Sequence, residues 1–391
     1  MTPQPFTLDI PEAQLTDLRA RLRNTRWPAD LNNEDWRYGV NRNYLRELVA
    51  YWIDGYDWRA QEAAINALPH YKVQIDGVPI HFVHVRGKGP SPKPLLLTHG
   101  WPSTFWDLRK MIGPLADPAA YGGDPADAFD VIMPSLPGFA FSTPLPRTGI
   151  DGMKTADMWV ELMRDVLGYD RFGAQGQDWG ANITQQLGHK YPQFLTGVHL
   201  SRFQNPFGGD PAAMGTAMPG PEDFGPGEEG WYERNREGLR RASHIAVQGT
   251  NPQTLSYGMH DSPVGMAAWL LEKRRRDAHL GGDVENVFSR DDQITNVMLF
   301  WLTDSFVSSV RYYHEYANSP KVPAHDRRPL VETPTAIGVL PRDAIAYPRK
   351  WAEAGCNLKR WTVYASGGHY GVYEIYDQYV DDLRAFFRDL T

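Results

Sequence analysis

The apolar positions of the chain change their period twice. Through the first 70 residues they recur every three or four places. Leu15, Leu18 and Leu22, within 11–25, fall on one helical face, and 44–52 and 58–68 repeat the pattern. The spacing predicts three amphipathic helices and no strand, with the dense tryptophans Trp27, Trp36, Trp52 and Trp58 packing onto whatever follows. From residue 71 short β-branched and apolar runs take over, at 71–75, 80–86, 94–98 and 129–133, broken by Gly and Pro turns. Helix-like and strand-like stretches then alternate: 156–167, 169–175, 182–191 and 196–200. Such alternation predicts an α/β fold with a mostly parallel central sheet covered on both faces. Between 201 and 332 the alternation stops. A Gly- and Pro-rich stretch, 205–230, gives way to helical periodicity at 233–248, 264–273 and 293–316. Strand patterns resume at 336–340 and 360–365, and a helix closes the chain over 376–390. The expected organisation is a helical extension over 1–70, a core in two parts, 71–200 and 333–391, and a lid inserted between them over 201–332.

Composition narrows the partners more than the fold. Among 391 residues, 47 acidic side chains outnumber 40 basic ones, and the net charge of −7 argues against nucleic acid and against a polybasic membrane contact. No apolar run reaches the roughly 18 residues of a membrane span, and the first nine residues lack the apolar stretch of a signal peptide. A single cysteine, Cys356, excludes an intrachain disulfide and fits a reducing, cytoplasmic setting. There is no Walker A loop, GxGxxG or HExxH, so no cofactor or metal is expected. His314–Glu315 reads as a pair of surface groups. Oligomeric state stays open, a homodimer included.

The most informative stretch is Gly176–Gln177–Asp178–Trp179–Gly180, which closes one strand-like run and opens a helix-like one. A strand that turns abruptly into a helix needs small residues beside the turn, and the residue at its centre is then held in an exposed, strained position. Here that residue is an aspartate. With an ordinary side-chain pKa of about 3.9 it is ionised at neutral pH and needs no base before attacking an alkyl carbon. The ester so formed must be hydrolysed, which requires a base for water. His369, in Ser366–Gly367–Gly368–His369–Tyr370 after the last strand pattern, is the candidate. Asp343, just past the preceding strand pattern, would orient it. Glu332 is the reserve, but it precedes its strand and should lie at the wrong end of the sheet. The order nucleophile, acid, histidine is that of α/β-hydrolases. The backbone N–H groups of Trp101, in His99–Gly100–Trp101–Pro102, and of Trp179 would form an oxyanion hole. His99 reads as a loop-bracing residue.

These motifs, together with Ser135–Leu136–Pro137–Gly138–Phe139, Asp261–Ser262–Pro263–Val264–Gly265 and Thr25–Arg26–Trp27–Pro28, resemble the epoxide hydrolases of the microsomal type. The likeness spans nearly the whole chain. It implies an α/β-hydrolase fold, a helical lid, no cofactor, and conversion of a small epoxide to a vicinal diol, with the family's triad falling on Asp178, Asp343 and His369. The family's acid is often glutamate, so Asp343 is a shorter variant. The family's membrane-anchoring helix has no counterpart here, which implies a soluble member without a membrane anchor. Two lid tyrosines of the family protonate the leaving oxygen. One falls on Tyr313, with Tyr312 beside it as an alternative register. The second falls on His244, a departure from the pattern, and Tyr257 is the other candidate for that role and for substrate binding. A histidine titrating near 6.5 implies ring opening that quickens as pH falls. Trp101 and Trp179 are expected to line an apolar substrate site. A haloalkane dehalogenase would share the aspartate elbow but needs no proton donor for halide, so Tyr313 favours the epoxide. A non-catalytic ligand-binding hydrolase fold is the remaining alternative.

Overall fold

The computed structural model describes residues 2–204, 218–279, 281 and 283–390. Nine strands form one sheet: β1 (Gln4–Pro5), β2 (His70–Ile75), β3 (Val78–Val85), β4 (Lys93–Thr98), β5 (Phe129–Pro134), β6 (Phe172–Gly176), β7 (Leu195–Leu200), β8 (Val331–Val339) and β9 (Cys356–Val363), in the order β1-β2-β3-β5-β4-β6-β7-β8-β9. The three pairings at the β1 end are antiparallel and the other five are parallel. Every residue of β5 and β6 is buried, as expected of strands covered on both faces.

The covering helices include α4 (Arg109–Ala116), α5 (Gly152–Glu161), α6 (Trp179–Lys190), α13 (Arg349–Gly355), the short α14 (Gly371–Glu374) and α15 (Tyr376–Arg388). Because β4 to β9 run parallel, their carboxyl ends share one edge of the sheet. The loop at Gly100, the Asp178 elbow, Arg202, Asp343 and His369 all emerge there.

The N-terminal segment holds α1 (Glu12–Arg23), α2 (Arg42–Asp54) and α3 (Trp58–Asn66), with Leu15, Leu18 and Leu22 buried as the spacing predicts. It also holds a strand the pattern did not foresee. β1 is only two residues long, contains a proline and pairs at the sheet edge with Tyr71 and Lys72, too short to show a period of two. Trp52 and Trp58 are buried, whereas Trp27 and Trp36 instead lie under the guanidinium groups of Arg46 and Arg275.

Between β7 and β8 lie α7 (Trp231–Arg241), α8 (Ser243–Thr250), α9 (Pro252–Asp261), α10 (Pro263–Asp277), α11 (Arg290–Trp301) and α12 (Phe306–Asn318). The predicted helix at 233–248 is two helices that break at Ala242. The one at 293–316 is divided by a turn in which Asp304 adopts φ 51°. Helix α9 escaped prediction because only Pro252 and Ser256 are buried, which leaves no apolar stripe. The first part of the predicted Gly- and Pro-rich stretch, 205–217, lies outside the described residues. The N-terminal helices grip this insertion: the Tyr44 hydroxyl donates to Gln293, the Tyr51 hydroxyl donates to Asp291, and Arg21 pairs with Asp261.

Candidate active site

The turn from β6 into α6 is built on two glycines. A Cβ at Gly176 would lie 1.9 Å from the Gly180 carbonyl oxygen, and one at Gly180 would lie 2.0 Å from that of Thr98. Asp178, between them, adopts φ 56° and ψ −120°, a conformation that costs a non-glycine residue on the order of 1–3 kcal/mol. Its two carboxylate oxygens face different neighbours. Oδ1 accepts the Trp101 N–H at 2.8 Å, while Oδ2 lies 3.4 Å from His369 Nε2 and 3.9 Å from the Arg202 guanidinium. Of the two N–H groups expected to form an oxyanion hole, Trp101's is the one bonded to the carboxylate. The Gly100 loop comes so close that a Cβ there would sit 2.3 Å from Oδ1.

His369 Nδ1 is 2.8 Å from Asp343 Oδ1, which also accepts the Ala344 N–H at 2.7 Å. Asp178, Asp343 and His369 therefore form one connected set. Glu332 is the second residue of β8, at the opposite end of the sheet, and pairs with Arg327. Burial pushes the Asp178 carboxyl up, but the His369 hydrogen bond and charge, Arg202 and the Trp101 N–H outweigh it and leave the pKa at about 2. For His369 burial acts downward, yet the charge of Asp343 and the contacts with Asp178 hold its pKa well above the usual imidazole value. The resting site is thus an imidazolium between two carboxylates.

A cavity of about 600 Å³ opens above Asp178, walled by Trp101, Trp179, His244, Tyr313 and Tyr316 among others. The register at the paired tyrosines is clear. Tyr313 faces the cavity, edge-on to Trp179 at 4.8 Å, whereas the Tyr312 hydroxyl turns away to Thr155 at 2.8 Å. His244 stacks on Trp101 at 5.3 Å with its Nδ1 buried and without a partner among the described residues. Burial, together with the charges of Arg276 and Lys273, keeps its pKa well below 6.5 despite the opposing pull of Asp178. It is a neutral imidazole at physiological pH, not the imidazolium acid that its ordinary titration implies.

Tyr257 is 72% exposed on α9 and does not line the cavity, so neither role considered for it fits. It is close to His244 in sequence, but the two lie on different helices. His99 braces the loop, donating from Nδ1 to Gly100 O at 2.9 Å and accepting the Leu136 N–H at 3.1 Å. Ser262 caps α10, which delivers Lys273, Arg276 and Asp277 to the cavity wall. His314 donates from Nδ1 to Gly249 O, 2.9 Å away. Sequence reasoning passed over Arg202, Tyr316 and these α10 charges. Arg202 stands two residues beyond the carboxyl end of β7, the position that singles out the other site residues.

A model of the epoxide hydrolase N terminus matches residues 3–108, and one of the alpha/beta hydrolase fold matches residues 93–265. Epoxide hydrolase 1 of Oryctolagus cuniculus is 33% identical over 398 residues, spanning 95% of this chain and 85% of that protein. A Stigmatella aurantiaca protein whose name assigns it provisionally to the epoxide hydrolases is 39% identical over 387 residues, spanning 99% of this chain and 85% of its own. The chain belongs to the epoxide hydrolase family. Among solved structures, the juvenile hormone epoxide hydrolase of Bombyx mori superposes with a TM-score of 0.86 at 26% identity, over 99% of this chain and 94% of that one. Aspergillus niger epoxide hydrolase superposes with a TM-score of 0.84 at 25% identity, over 100% and 97%. The enzyme has the α/β-hydrolase fold, and among its described residues no helix is long and apolar enough to cross a membrane.

Proposed function

We propose that the enzyme hydrolyses a small epoxide to a vicinal diol through an ester on Asp178. The observation that carries this reading is the division of labour within that carboxylate. Oδ1 is occupied by the Trp101 N–H, which leaves Oδ2 as the attacking atom. As Oδ2 bonds to a ring carbon, the carbon–oxygen bond of the ring breaks and its electron pair passes to the departing oxygen. Tyr313 and the neutral His244 donate hydrogen bonds to that oxygen. Burial raises the Tyr313 pKa well above 10, so it remains a donor at any physiological pH. A haloalkane would leave both donors unused.

The ester removes the charge of Asp178 and with it one reason for His369 to stay protonated. The departing oxygen is protonated from solvent through the Tyr313 and His244 donors while His369 gives up its proton to solvent, and the freed imidazole takes a proton from water as that water attacks the ester carbonyl. Oδ1, on the Trp101 N–H, carries the negative charge of the tetrahedral intermediate. A second cavity of about 20 Å³ reaches both Asp178 and His369 and has room for such a water. Collapse releases the diol and restores the carboxylate–imidazolium pair, so protons balance over the cycle. The insertion between β7 and β8 acts as the lid that carries the ring-opening donors, and the body of the substrate is apolar.

The test separates the half-reactions. His369→Gln should still open the ring but not hydrolyse the ester, so a mass increase equal to the whole epoxide should persist on the protein. Asp343→Asn should slow hydrolysis by up to about 10⁴-fold while leaving the geometry of the site intact. A His369→Gln protein that stays unmodified after mixing with epoxide would show that His369 is not the base for ester hydrolysis alone.

A further inference from the structure

Arg202 helps hold Asp178 ionised but takes no step in the ring-opening scheme. Its side chain retains 14% of its surface and lines the main cavity. A guanidinium has five N–H donors. Here Nη2 reaches the main-chain oxygen of Asp178 at 3.4 Å, its one hydrogen bond to the described residues, and the buried Nε has no partner among them. The 3.9 Å to Asp178 Oδ2 is an ion pair but too long for a hydrogen bond. A buried charge so thinly bonded is costly, and its planar fork matches a carboxylate. The Tyr316 hydroxyl, also buried without a partner among the described residues, stands on the same cavity wall. Lys273 and Arg276 also face the cavity, beside Asp277, Asp178 and Asp343, and Asp343 is paired with His369.

We infer that Arg202 anchors an acidic group on the substrate, and that the enzyme takes epoxides bearing a carboxylate next to the ring. The inference rests on the epoxide reading above and names its substrate class. Distance sets the class. Arg202 lies 3.9 Å from Oδ2, so a carboxylate hydrogen-bonded to it at about 2.8 Å can sit beside a ring carbon within reach of that oxygen. This describes 2,3-epoxy carboxylates with an apolar substituent directed toward the rest of the cavity. When Asp178 becomes an ester, Arg202 loses its nearest anion, and the substrate carboxylate keeps it paired through the intermediate.

Three probes share one apolar body: trans-3-phenylglycidate, its neutral amide trans-3-phenylglycidamide, and styrene oxide. In wild type, kcat/KM for the acid should exceed that for the amide by about 10-fold or more. In Arg202→Met the acid should lose about 100-fold more than the amide, the size of effect expected when one partner of a buried charge pair is removed. Arg202→Lys, which keeps the charge but not the fork, should fall between and guards against a misfolded Met variant. Equal losses on acid and amide would show that Arg202 only supports Asp178 and would overturn the inference, as would a wild type that prefers the amide. Failure to convert any of the three would instead count against the epoxide reading. Calorimetric binding of phenylglycidate and its amide then decides on Arg202 alone: acid-selective binding lost in Arg202→Met sustains the anchor, and equal binding refutes it.

Discussion

Replacing His244 by phenylalanine isolates one ring-opening donor. The phenyl ring can keep the stack on Trp101, now at 5.3 Å, and no hydrogen bond from Nδ1 to the described residues is lost. What disappears is one of the two donors to the departing oxygen, with Tyr313 remaining. Removing one donor from a developing oxyanion costs about 10²- to 10³-fold in rate, or ~3–4 kcal/mol. The rate of Asp178 alkylation should fall by that factor, and His244→Tyr should restore much of it. The pH dependence carries the sharper test. Because burial, Arg276 and Lys273 hold His244 neutral, wild-type alkylation should not quicken between pH 8 and pH 6, contrary to what an ordinary histidine implies. Stopped-flow tryptophan fluorescence after mixing with epoxide reads this step, since Trp101 stacks on His244 and Trp179 lies against Tyr313. Equal rates in wild type and His244→Phe would make His244 a bystander. An acid-side rise present in wild type and absent from His244→Phe would mean that an imidazolium is the donor after all.

Two further consequences follow from the buried charges. Because His369 already holds a proton at rest, one turnover near pH 7 should neither take up nor release a proton, as read with an indicator dye in weak buffer; uptake of one proton during alkylation would mean that His369 rests neutral. Stability should fall as pH drops from about 6.5 toward 4. His99 is buried with its pKa lowered to about 4, so the unfolded chain binds the proton first, and this group alone withdraws on the order of 2 kcal/mol by pH 5. His70, His81 and His84 are also lowered by burial and act in the same direction. His369 is the exception: its raised pKa adds stability at low pH that is lost as pH rises through its folded value. A urea midpoint that is unchanged between pH 7 and pH 5 would contradict this account.

The parts of the site that were legible share one property. Asp178, Asp343, His369 and the Trp101 loop each follow a strand of the parallel sheet, so order in the chain stood in for proximity in space. Tyr313 was legible for a different reason, the match of its surroundings to a family pattern. Tyr257 was misjudged because nearness in sequence to His244 says nothing about direction once α8 and α9 turn apart. The charge state of His244 could not be read at all. It is set by burial, which only the fold creates, and by Arg276 and Lys273, which arrive on α10 from a different part of the insertion. Arg202 was overlooked because a lone arginine in a sequence reads as surface, and only the fold buries it. In the fold, long elements with a clear apolar stripe such as α1 were readable, and β1 and α9 were not because each lacks one.

The claim on which the rest depends is that Asp178, not water, attacks the ring. A single turnover of enzyme in excess over epoxide, run in oxygen-18 water, tests it directly. The account predicts that the first diol carries no label and that mass spectrometry of the peptide containing Asp178 finds oxygen-18 in its carboxylate, because water attacks the ester carbonyl and the diol takes its oxygen from the enzyme. Oxygen-18 in the diol with an unlabelled Asp178 would mean that water opens the ring itself.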